Sequence, residues 1–248
     1  MATLVGLTYS PWTEKARWAL DHQRVPYRFV EYLPLVGEAA LRLASRRFRG
    51  KVTVPMLLDG AEVHDDSYTI ARYAARHGRS PEPGGLFPAA LDDEVSAWNA
   101  RSDAMMAAGR ALLLRRMAHD PLALQEAVPA PRALRSRLEP VARLGTWYLT
   151  SKYAIADRDE ALDDRTLREG VKALTEALSR GDHLAGDGFT FADLAMCTAM
   201  QFVLPVDDRY IPLGPATRRC WTYSHLADEA TAALAWRDRV YTRYRALR

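Results

Sequence analysis

The feature that most constrains this chain is a change of periodicity near residue 78. Before it, apolar residues alternate between two spacings; after residue 88, only the helical spacing survives. Residues 4–7 (Leu-Val-Gly-Leu) read as a short buried strand. Residues 11–22 read as a helix, with Ala16, Ala19 and Leu20 on one face. Strand character returns over 26–31, helix over 38–47, and strand over 53–58. Asp59-Gly60 then signals a hairpin, with 62–64 as the returning strand and 67–77 as a third helix. The predicted order is β-α-β-α-β-β-α, a parallel beginning and a hairpin end covered by helices. Residues 78–88 (GRSPEPGGLFP) carry no periodicity and read as linker. Helices are predicted over 89–118, 133–150, 160–180, 190–204 and 226–247. Residues 121–131 break the pattern, Pro140 is expected to kink or break the second of these helices, and 205–215 read as loop. The expected organisation is an α/β domain over 1–79, a linker over 80–88 and an all-α helical-bundle domain over 89–248.

Composition excludes several classes. The 248 residues are 48% hydrophobic and 26% charged, an ordinary globular balance that supports a sizeable core. The net charge is only +3, and the arginine pairs at 46–47, 115–116 and 218–219 are short. They read as solvated helix faces, so no nucleic-acid partner is expected. No apolar run approaches the about 20 residues that span a bilayer, and no basic-then-apolar leader opens the sequence. No membrane association and a cytoplasmic location are expected. Cys197 and Cys220 form no CxxC pair, and the six histidines are dispersed. No metal site is expected.

Three short segments carry chemistry together. In the first, Tyr9-Ser10-Pro11-Trp12-Thr13-Glu14-Lys15-Ala16-Arg17, strand one joins helix one. Ser followed by Pro is an ordinary helix start, with the hydroxyl as cap and Pro at the first helical position. The same geometry suits a thiolate, because a helix N-terminus offers unpaired N–H groups and partial positive charge that lower a thiol pKa. The second is Thr53-Val54-Pro55-Met56. A proline heading a strand is either trans or cis, and in the cis form the backbone of Val54 offers an edge for strand addition. The third is His64-Asp65-Asp66-Ser67-Tyr68-Thr69-Ile70, where a helix begins. Asp66 and Ser67 suit N-capping. They equally suit an α-amino acid head, the hydroxyl and amides taking its carboxylate and Asp66 its ammonium.

In order and spacing, the three segments resemble the glutathione-site motifs of cytosolic glutathione transferases. Gly188-Phe189-Thr190-Phe191-Ala192-Asp193-Leu194 is similar to the family's helix-starting box, with Asp193 in place of the usual Glu or Gln. The resemblance implies a thioredoxin-like N-terminal domain, an all-helical substrate domain and a homodimer. It implies glutathione as co-substrate, with no metal. It carries Ser10 to the catalytic position, Val54 before a cis Pro55 to the cysteinyl backbone, and Asp66 and Ser67 to the γ-glutamyl end. Pro11 lies in the same segment, and Lys51 lies near a glycyl-carboxylate position of some classes. The segment departs from the cysteine-type classes it otherwise resembles, because residue 10 is serine. A serine forms no mixed disulfide, so thiol activation is expected rather than redox exchange. Tyr9 is the alternative hydroxyl. Trp12, Met105, Met106, Arg110 and Trp221 are candidates for the second-substrate side by position, although core packing is the favoured reading for the apolar ones.

The expected function is therefore activation of the glutathione thiol for attack on a small hydrophobic electrophile. The competing expectations are a non-catalytic glutathione- or ligand-binding module, and a glutathione-dependent isomerase or dehalogenase. The Ala- and Arg-rich composition leaves another thiol as an alternative to glutathione.

Overall fold

In the computed structural model, a four-stranded sheet has the order β2-β1-β3-β4. The structure describes residues 1–34, 37–81, 84–128, 132–135 and 137–246, with the side chains of 132 and 133 excepted. Residues 82–83 of the expected linker, 129–131 of the expected break, 136 within an expected helix and Leu247 at the end of the last one lie outside these.

The elements of the first domain are β1 (Ala2–Gly6), α1 (Pro11–His22), β2 (Tyr27–Glu31), α2 (Gly37–Ser45), β3 (Met56–Asp59), β4 (Glu62–His64) and α3 (Ser67–His77). β1 runs parallel to β2 and antiparallel to β3, and β3 and β4 form the hairpin. Strand alternation sorts side chains between two faces. Ala2, Leu4 and Leu57 pack with Ala16, Leu20, Ile70 and Ala74, so α1 and α3 cover one face. Val5, Leu7 and Met56 pack with Leu41 of α2 and Tyr32 on the other.

The second domain comprises α4 (Asp92–Ala118), α5 (Pro121–Ala127), α6 (Arg132–Arg135), α7 (Glu139–Lys152), α8 (Glu160–Leu178), α9 (Phe191–Ala199), α10 (Pro215–Trp221), α11 (Ser224–Glu229) and α12 (Thr231–Tyr244). The buried cluster under α1 and α3 continues without interruption through Met105, Leu112, Phe191 and Leu194. The helical domain is thus welded to the sheet domain. α9 is buried at every position. Its start uses the anticipated reciprocal cap: Ala192 N donates to Thr190 Oγ1 (3.3 Å) and Thr190 N to Asp193 Oδ2 (2.9 Å). The shorter Asp also takes Leu184 N (2.9 Å) through its other oxygen. Pro140 does not kink a helix but stands at a break, α6 ending at Arg135 and α7 starting at Glu139. It lies in the first turn of α7, where a missing N–H costs nothing. Among the described residues, no helix is long and apolar enough to cross a membrane, and no group of His, Cys, Asp and Glu is arranged to hold a metal.

Candidate active site

Val5 lies opposite Met56, and Leu57 opposite His64. The exit of β1, the entry of β3 and the exit of β4 therefore share one end of the sheet. Ser10, Val54-Pro55 and Asp66-Ser67 each follow or precede one of those strand ends, so topology alone gathers the three segments. The β1–α1 loop is braced on both sides. Ser10 N donates to Leu7 O (2.9 Å), and Leu7 N to Thr13 Oγ1 (3.1 Å). Thr8 N donates to Glu31 Oε1 (3.0 Å), and the Thr8 hydroxyl also bonds Glu31. Ser10 is the N-cap of α1 in extended conformation (φ −81°, ψ 126°), with Pro11 in the first turn, yet its hydroxyl makes no capping hydrogen bond. Neighbouring Tyr9 is 37% exposed.

The Val54–Pro55 peptide is cis. The approach to it is anchored from the other domain. Lys152 Nζ, at the end of α7, donates to Val52 O (2.8 Å) and to Glu38 Oε2 (3.1 Å), and Tyr148 also bonds Glu38. The Tyr148 hydroxyl and Arg42 hold the Glu38 carboxyl at about 2. At the start of α3, Asp66 uses one oxygen, Oδ1, to cap Tyr68 N (2.8 Å) and Thr69 N (2.9 Å). Ser67 is buried, and its hydroxyl has no hydrogen-bond partner among the described residues. Lys51 is exposed.

Beyond Pro11 lies a junction of the two domains. Lys15 of α1 is fully buried and donates to Asn99 Oδ1 (3.1 Å) and Asp103 Oδ1 (2.9 Å) of α4. Burial pushes its pKa down, against Asp103 and Asp66. The Arg110 guanidinium of α4 stands over the Trp12 ring (4.7 Å) and over the Tyr153 ring (3.5 Å). Tyr153 ends α7, and Ala154 after it has φ 50°, a left-handed turn rarely taken by residues with a Cβ. Trp12 meets Phe202 edge-on (6.1 Å), and Phe202 stacks on Trp221 (4.7 Å). Gly109 permits this approach, since a Cβ there would lie 2.4 Å from Phe202.

A sequence model described as the glutathione S-transferase N-terminal domain matches residues 4–82, and one described as the C-terminal domain matches residues 158–209. The chain belongs to the glutathione S-transferase family. Solved glutathione S-transferases share the fold. One from Methylobacterium radiotolerans, in complex with glutathione sulfonate, is 18% identical, with 98% of this chain and 91% of that one covered and a TM-score of 0.61. A glutathione S-transferase domain-containing protein from Marinobacter aquaeolei is 22% identical, with 97% and 98% covered and a TM-score of 0.60. A glutathione S-transferase I bound with lactoylglutathione is 18% identical, with 98% and 94% covered and a TM-score of 0.60. No curated relative matches the chain.

Within this glutathione S-transferase fold, the expected second-substrate residues divide. Trp12 and Arg110 remain partly exposed and meet each other. Met105 and Met106 do not line a cleft: both have no exposed surface, and Met105 occupies the space that Gly170 of α8 leaves. Trp221 is 3% exposed and backs Phe202. The core alternative weighed for these three is the one found. Tyr153, Lys152 and Phe202 went unanticipated. No local pattern marks them, because their partners lie far away in sequence. Cys197 and Cys220 are free and buried, and burial pushes both thiols up, away from nucleophilic use.

Proposed function

We propose that the protein is a glutathione transferase that activates the thiol of glutathione at Ser10 and transfers it to an electrophilic carbon. The observation that carries this reading is the Ser10 hydroxyl. It sits at the N-terminus of the 12-residue helix α1, without the capping bond its residue type suggests. A hydroxyl so held is available to donate to a thiolate, beside the positive end of the helix. The remaining contacts follow the family resemblance. The backbone of Val54 pairs with the cysteinyl unit, Asp66 and Ser67 hold the γ-glutamyl head, Pro11 shapes the turn, and Lys51 meets the glycyl end. The residues fit such a ligand: Asp66 keeps one carboxylate oxygen outside its capping role, and Ser67 keeps its hydroxyl uncommitted.

In the reaction, the thiol gives its proton to solvent. The sulfur electron pair forms the C–S bond, and the displaced pair departs with the leaving group. A serine at position 10 forms no disulfide, which favours this chemistry over exchange. Trp12 supplies an apolar face for the electrophile.

The test is conjugation of chlorodinitrobenzene, together with calorimetry on glutathione. One charge-assisted bond is worth about one to two pKa units. Ser10→Ala is therefore expected to raise the bound thiol's pKa by about that much and to lower kcat/KM by roughly 10- to 100-fold at neutral pH, with glutathione still bound. Full activity in Ser10→Ala, with loss in Tyr9→Phe, reassigns the hydroxyl to Tyr9. Glutathione binding with no turnover across an electrophile panel supports a binding module instead. A homodimer, implied by the family, is checked by light scattering.

A further inference from the structure

Arg110 is a cation without a counter-ion among the described residues. Several other buried or half-buried cations have one, whereas Arg116 has only backbone carbonyl acceptors among those residues. Arg245 meets Glu14 and Asp21, Arg115 meets Asp163, Lys152 meets Glu38, and Lys15 meets Asp103. Arg110 makes no hydrogen bond and no ion pair among the described residues, and its Nε is buried with no partner. Burial lowers its pKa, Tyr153 works against that, and the nearby cation Arg158 lowers it further. What holds it is two aromatic faces, Trp12 at 4.7 Å and Tyr153 at 3.5 Å. Trp12 is two residues from Ser10, on the first turn of α1. Tyr153 is also electrostatically coupled to Tyr9, on the other side of Ser10.

A guanidinium held by ring faces keeps its N–H fork for something else. This one buries its Nε without an acceptor, which is costly. The acceptor it matches best is planar and bidentate, a carboxylate.

We propose that the electrophile conjugated at this site carries a carboxylate, received by Arg110, with its apolar body against Trp12. This rests on the reading of Ser10 as the thiol-activating residue and names the substrate class that reading leaves open. The substrate is an amphipathic acid rather than a purely hydrophobic compound. Arg110 orients it from α4, and Tyr153 from α7 holds Arg110 in place.

The experiment is calorimetry with three probes: glutathione, S-benzylglutathione, and S-(carboxybenzyl)glutathione as its meta and para isomers. The protein is the full chain, as wild type, Arg110→Met and Arg110→Lys. At least one carboxybenzyl isomer is expected to bind the wild type about tenfold tighter than S-benzylglutathione. That preference is expected to vanish in Arg110→Met and to return in part in Arg110→Lys, with glutathione itself within about twofold throughout. Equal binding of the benzyl and carboxybenzyl conjugates to the wild type overturns the proposal, and this comparison needs no variant to fold. A uniform loss for all three probes in Arg110→Met also overturns it, assigning Arg110 to packing or to glutathione's own carboxylates. Wild type that binds glutathione but shows no carboxylate preference leaves the thiol-site reading standing. Wild type that binds none of the probes removes both.

Discussion

His22 shows how one buried side chain sets a pH limit. Its ring lies against Phe189 (5.1 Å) and is 7% exposed, and burial pushes its pKa down to about 4. The unfolded chain takes up this proton near pH 6.5, whereas the folded one waits until about 4. Stability is therefore lost as pH falls through that window, by up to about 3 kcal/mol. Urea midpoints should drop between pH 7 and 4.5, and His22→Leu should flatten that part of the profile. Glu38 acts in a lower window with a shift in the same direction but from the opposite cause, partners that favour its charged form. Its carboxyl is held at about 2 from an ordinary 4.5 by Tyr148 and Arg42, so its contribution is present above pH 4.5 and fades toward 2. Replacing it by Gln removes only that lower limb. Gly109 limits volume rather than charge. Gly109→Ala places a Cβ 2.4 Å from Phe202 and should cost about 1–3 kcal/mol of unfolding free energy. Of the candidate site, Ser10, Val54-Pro55 and Asp66-Ser67 were legible because each sits at a local junction of strand and helix. The surroundings of Arg110 were not, since Tyr153 is brought to it by the path of α7 and by no nearby motif.

At the scale of elements, α1 and α3 have the anticipated bounds, because Ser10-Pro11 and Asp66-Ser67 are strong start signals. Two of the differences share one cause. Prolines taken as breakers are starters. Pro121 opens α5 behind Asp120, whose side chain accepts from Leu122 and Ala123 N (both 3.0 Å). Pro215 opens α10 behind Gly214, whereas Pro140 both starts a helix and marks the expected break, between α6 and α7. Whether a proline ends or begins a helix depends on what precedes it, and periodicity alone does not read that. α9 offers the sharpest test of an element. Asp193 is wholly buried and serves two backbone donors, Leu184 N and Thr190 N. Asp193→Ala should lower stability by about 3 kcal/mol in chemical denaturation. α7 ties an element to the site instead. Lys152→Met frees Val52 O and leaves Glu38 without one of its partners, and should weaken glutathione binding by about three- to tenfold in calorimetry.

Across the whole molecule, the residues that close the structure are the last described ones. Arg245 donates to Glu14 Oε1 (2.6 Å) and Asp21 Oδ2 (2.8 Å), all three side chains being nearly inaccessible. Trp18 Nε1 donates to Tyr244 O (3.1 Å) beside them. Burial works against the Arg245 charge, but the two carboxylates outweigh it and hold its pKa above the ordinary value. Arg245→Met leaves both acids buried and uncompensated and should cost about 3–5 kcal/mol, measured by urea unfolding at neutral pH. A triple variant that also carries Glu14→Gln and Asp21→Asn should recover part of that loss.

The same contact imposes an order in time. Glu14 leaves the ribosome 231 residues before Arg245, an interval of roughly 10–50 s at common rates of synthesis. Through that interval the nascent α1 carries two acids that need water. The helix that presents Ser10 cannot take its final seat until Arg245 has been made. A chain not yet extended to Arg245 therefore exposes no finished thiol site, and competence arrives together with the closing of the fold.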